Sequence, residues 1–154
     1  MKKHITILGV CVLFITLSLS GCEIFEEEKN YITVNISAYC GVLLYNNQGE
    51  QIFSKFASYV PVYIEMVKAG GERLRFDREA NAIGKVEIVS GSFNLYKEQG
   101  IEVIAHAQGG FEDFFEYQAG FAFLSWAEVD AAADFGGTYS WHPNVYIIMR
   151  NSTG

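Results

Sequence analysis

The chain is poor in the residues from which most active and metal sites are built. Its 154 residues include three histidines, three cysteines and two prolines. Beyond the N-terminal segment only His106 and His142 remain, with no His-x-x-x-His spacing and no paired Cys and His. Zinc takes three or four such ligands, so no metal is expected. There is no Gly-x-Ser-x-Gly elbow for a nucleophilic serine, and Ser90-Gly91-Ser92 reads as a turn. No cofactor motif is present either, so no cofactor is expected. Basic charge is also scarce: 11 Lys and Arg stand against 18 Asp and Glu, a net −7. That balance repels nucleic acid and anionic headgroups, which argues against nucleic acid as a partner.

What the sequence does have begins at its N-terminus. Lys2 and Lys3 precede an apolar run from Ile5 to Leu19, then Leu19-Ser20-Gly21-Cys22. The charge holds the start in the cytosol while the apolar run enters the translocon, the layout of a secretory signal. The run is short for a membrane span, which needs roughly 20 apolar residues. Leu-Ser-Gly-Cys resembles the lipobox of prokaryotic lipoproteins. The resemblance implies lipidation of Cys22, cleavage after Gly21 and an extracytoplasmic chain held to a membrane by its lipid. Glu23 is not the aspartate linked to inner-membrane retention, which leans toward the outer membrane where there are two. The expected division is a signal peptide over 1–21, an acidic tether over 22–30 and one β-sandwich domain over 31–150. Four glutamates and little apolar content keep the tether from packing. Cys11 would leave with the signal and Cys22 would be lipidated, so Cys40 is left without a disulfide partner.

From Tyr31 the apolar period is two. Ile32, Val34, Ile36, Ala38, Cys40, Val42 and Leu44 alternate with more polar neighbours, a half-buried strand bent or bulged near Gly41. Cys40 has the apolar parity and is expected in the core. Further strands are expected at Gln51–Ala57, from Pro61 through Met66, and at Arg73–Phe76 after a Gly70-Gly71 hairpin turn. A polar loop over 77–84 follows, then strands at 85–89, 92–96 and 101–108 separated by Gly91 and Gly100. His106 has outward parity. Residues 111–117 show no clear period; Phe121–Trp126 reads as a strand and 128–135 as one or two helical turns. Strands at 138–141 and 145–149 close the domain around His142-Pro143-Asn144. Eight or nine short strands with almost no helix indicate an all-β antiparallel sandwich rather than a barrel.

Residues 60–105 resemble transthyretin-like and Ig-like surface modules, among them carboxypeptidase regulatory-like domains. The resemblance rests on Val60-Pro61-Val62-Tyr63-Ile64, Gly84-Lys85-Val86, and Ser92-Phe93-Asn94-Leu95 before Ile101-Glu102-Val103. Tyr59 stands where those families carry a glycine, and their Thr-Asp signature is missing before Gly84. Such modules are mostly non-enzymatic, which implies an interaction or structural role.

Aromatics concentrate between Phe111 and Tyr146, both tryptophans included. Flat rings stack on sugar faces, and Tyr139 and Trp141 share one strand face. Trp126, Tyr139 and Trp141 are therefore the candidate glycan platform, with core packing as the alternative. Acidic residues gather nearby (Glu112, Asp113, Glu116, Glu128, Asp130, Asp134), but without a calcium loop they read as solvated surface. No catalytic residue is assigned. The expectation is a non-catalytic, lipid-anchored cell-envelope protein that contacts the membrane through Cys22 and an envelope protein or glycan through its sandwich. A glycan-binding module is the first alternative and a small extracytoplasmic hydrolase the second.

Overall fold

In a computed structural model the described residues, 31–133 and 137–151, form a two-sheet β-sandwich with one short helix. The signal, the tether and Cys22 lie outside the described residues, as do Asp134 and Phe135. The strands are β1 (Tyr31–Tyr45), β2 (Pro61–Lys68), β3 (Arg73–Glu79), β4 (Lys85–Tyr96), β5 (Gly100–Ala107), β6 (Phe114–Gln118), β7 (Gly120–Ser125), β8 (Thr138–Trp141) and β9 (Asn144–Asn151). The helix α1 (Trp126–Ala132) sits between β7 and β8. One sheet runs β4-β1-β9-β6 with β8 also on β1; the other runs β3-β2-β5-β7.

Pairing is antiparallel except along one side of β1, where β8 and then β9 lie parallel to it. These two are one strand interrupted at His142-Pro143. Pro143 has no N–H to give, but its carbonyl accepts from Tyr39 N at 2.9 Å, so the line of bonds continues across the break. The inward set of β1 is the one its alternation predicts: Ile32, Val34, Ile36, Ala38, Cys40, Val42 and Leu44 are all buried. Burial pushes the Cys40 thiol up to about 12, leaving it a small protonated hydrophobe.

The bulge expected near Gly41 occurs in the partner strand. Pairing passes from Ala38↔Val89 to Cys40↔Val86, so Glu87 and Ile88 together face Tyr39. The extra residue flips the parity of β4, buries both Val86 and Val89, and turns Ile88 out at 65% exposure. Gly91 does not separate two strands; it lies inside β4 opposite Ile36. A Cβ there would sit 2.7 Å from Met66 Sδ and 2.8 Å from Leu74 Cδ1, so a glycine lets side chains of the facing sheet reach in.

Three other expectations are corrected. Gln51–Ala57 is not a strand: only the bridge Tyr45↔Gln51 forms. β9 covers one edge of β1 as far as Tyr45 and β4 the other from Gly41 back, so almost no free edge remains for a hairpin. The 77–84 loop shrinks, because β3 continues to Glu79 opposite Pro61. α1 starts earlier than expected because Ser125 caps it. Ser125 Oγ accepts from Glu128 N at 3.4 Å, while the Glu128 carboxylate accepts from Ser125 N at 2.9 Å.

The sheets are joined by β6 and β7, which form one chain run that leaves the first sheet and enters the second at Ala119-Gly120. A Cβ on Gly120 would stand 2.8 Å from Tyr146 N, so backbone meets backbone at this corner.

Candidate functional site

The sandwich has two unlike ends. Tyr31, where residues 1–30 join, opens β1 at one end beside Tyr96. The 69–72 turn and α1 belong to that end too. The other end holds the far half of β1, the irregular segment 46–60, the 80–84 loop and the 108–113 loop, which Lys55 ties to 46–60 by a 2.8 Å ion pair with Glu112. At about 3.3 Å per strand residue, Gly41 lies about 30 Å from Tyr31. We call the two ends proximal and distal.

A cavity of about 170 Å³ opens on the distal end. Its floor is β1, where Gly41 leaves room for the Tyr146 ring: a Cβ there would be 3.0 Å from Tyr146 Cδ1. The Tyr39 and Tyr146 rings meet edge to face at 6.1 Å. Phe53 and Phe56, at 79% and 53% exposure, and Ile83 also line the cavity. Burial first, then the neighbouring Tyr146, raises the Tyr39 pKa, so its phenol stays a neutral donor and acceptor. Gln51, Lys55 and Lys85 supply the remaining polar groups.

Local sequence chemistry holds these segments in place. Asn46 Oδ1 accepts from the amides of Gln48 and Glu50 at 3.0 and 2.8 Å and turns the chain out of β1. Asn81 Oδ1 does the same for Ile83 and Lys85, both at 3.0 Å. Gly84 has φ +70 and would place a Cβ 3.0 Å from Val42 O, so only glycine lets this turn close on β1. Tyr59 also has positive φ, 60°, just before β2. For an aromatic residue that is a strained conformation.

The cavity has a distinctive charge. No Asp or Glu lines it, although the chain carries 18 acids. Lys85 Nζ stands 5.9 Å from the Tyr39 ring centre and makes no ion pair among the described residues. No histidine, serine or cysteine lines the cavity either.

The sequence-derived platform residues lie elsewhere. Tyr139 and Trp141 do share a face, but they pair with Val34 and Ile36, whose side is the core side. Both are half-buried and pack on the core, as does Trp126 at the start of α1. The structure does not gather the three on an open flat surface. Two of the exposed rings at the cavity, Phe53 and Phe56, fall outside the aromatic concentration between Phe111 and Tyr146, in the segment expected as a strand. Their three-residue spacing, which breaks a period of two, was the available signal.

A second aromatic surface covers the outer face of the β3-β2-β5-β7 sheet. His106 stacks on Tyr63 at 4.6 Å and meets Tyr117 edge-on at 6.5 Å, so its outward parity leaves it half-buried rather than open. Arg75 lies over the other ring neighbour, 4.1 Å from the Tyr63 centre, and Phe121 and Phe123 stand exposed on β7. Arg73 pairs with Glu65 and Arg75 with Asp77 on this face, each at 3.1 Å, and a cavity of about 330 Å³ opens toward its proximal edge, lined by Glu98, Glu102 and Phe123.

Among the described residues no three His, Cys, Asp or Glu side chains converge as a metal site. No helix among them is long and apolar enough to cross a membrane. No family model, curated protein or solved structure matches the chain.

Proposed function

We propose that the protein is a non-catalytic binding module of the cell envelope, anchored through lipid on Cys22, with the distal cavity as its binding site. The carrying observation is an aromatic-walled cavity at the end opposite Tyr31, lined by no carboxylate, imidazole, thiol or serine. Such a lining can hold a ligand but offers little for acid–base or nucleophilic chemistry. The sandwich itself accords with the transthyretin-like and Ig-like resemblance, which carries a fold expectation and no activity.

A carbohydrate is the ligand class the walls favour. Ring faces at Tyr39, Tyr146, Phe53 and Phe56 suit the C–H faces of a sugar, while Gln51, the two phenols and the lysines suit its hydroxyls. Small size limits the cavity to one ring, since pockets for drug-sized ligands run upward of about 300 Å³. Calorimetric titration of the full-length protein in detergent with saccharides tests this. Binding that disappears in Phe53→Ala supports it, whereas turnover of any substrate would move the protein to the hydrolase reading. Retention of Cys22→Ala in the membrane fraction would remove the lipid anchor.

A further inference from the structure

Resting on the carbohydrate reading above, we infer that the distal cavity is selective for an acidic sugar, with Lys85 as the group that reads the carboxylate. The chain holds 18 acidic and 11 basic residues, and the cavity beside Phe123 is lined by Glu98 and Glu102. The distal lining holds Lys55 and Lys85 and no acid. The two lysines are not equivalent. Lys55 is neutralised by Glu112 at 2.8 Å. Lys85 has only the face of Tyr39 at 5.9 Å and no ion pair among the described residues. Its backbone is fixed, because its N–H donates to Asn81 Oδ1 at 3.0 Å.

The contrast with Lys68 shows how this chain treats a lysine it uses for structure. Lys68 also sits by an aromatic ring, 5.5 Å from the Tyr96 centre, but it donates to Asn94 O at 3.1 Å and pairs with Glu72. Lys85 keeps the ring and lacks the carboxylate. A ligand that stacks its ring between Phe53 and Tyr39 and directs an anionic group to the rim supplies what is missing. An aromatic acid would satisfy the charge but leave Gln51 and the phenols without partners. A uronic acid residue satisfies both.

The test compares oligogalacturonate with its carboxyl-reduced galactose counterpart, titrated into the full-length protein in detergent and into Lys85→Gln and Phe53→Ala. A charge-assisted contact predicts roughly ten-fold or greater preference for the acidic oligomer at low salt, from the typical strength of such bonds. That preference should be lost in Lys85→Gln and weaken as salt is raised. Phe53→Ala should weaken both oligomers. Equal affinity for the two oligomers, unchanged in Lys85→Gln, would overturn the acidic selectivity and leave the carbohydrate site standing. Binding of neither would overturn both.

Discussion

The two ends of the sandwich use the same parts to opposite effect. Each has a glycine under an aromatic ring: Gly100 beneath Phe123 at the proximal end, Gly41 beside Tyr146 at the distal end. Each has a lysine over a tyrosine. At the proximal end a cavity of about 330 Å³ also opens, beside the exposed Phe123, but Glu98 and Glu102 line it and its lysine is already paired. Lys68 is paired and its side chain only 11% exposed, and α1 brings Val129 into the core at 0%. At the distal end the ring and lysine are left facing a cavity, and Phe53, Phe56 and Tyr59 stay open to solvent. Ring, glycine and lysine recur at both ends, so residue type does not distinguish them; what differs is whether carboxylates accompany the lysine.

The comparison can be broken most forcefully at the proximal end. Val129→Asp would bury an unpaired carboxylate in the core, and urea denaturation should show a loss of at least about 3 kcal/mol. Ser125→Ala removes one half of the helix cap and should cost about 1 kcal/mol in the same experiment. Acidification probes the other half. Hydrogen bonds from the Ser125 N–H and then its hydroxyl hold the Glu128 pKa below its ordinary 4.5. A depressed carboxylate contributes stability above its unfolded pKa and loses it as pH falls through the folded value. The stability difference between wild type and Glu128→Gln should therefore shrink as pH drops below about 4.5 and stay constant above pH 6. The smallest effect is expected at the site. Phe53→Ala should change stability by less than about 0.5 kcal/mol while removing saccharide binding. A large loss of stability there would make the distal end as structural as the proximal one.

Much of the scaffold was legible from periodicity. The inward sets of β1, β2 and β5 follow from alternation alone, because one face of each strand is buried. Parity also placed Tyr139 and Trp141 on a common face, but it could not say which face. That was fixed by register against Val34 and Ile36, a contact with a strand a hundred residues earlier in sequence. The bulge at Glu87-Ile88 was illegible because one extra residue inverts parity without altering composition. The capping box, Ser125 with Glu128 three residues on, was a signal that the expected start at Glu128 missed. The cavity was not legible, since its walls come from residues 39, 41–44, 51–53, 55–56, 83–85 and 146, and nothing local announces their convergence.

β1 has a mechanical consequence. It begins with Tyr31 and ends beneath the cavity, so a pull between Tyr31 and anything held in the cavity would run along its axis. Its hydrogen bonds to β4 on one side and to β8 and β9 on the other lie across that axis, and under tension they are loaded together in shear. Peeling would instead break them one at a time. The strand that carries the floor of the cavity is thus also the one that would bear a load applied between its two ends.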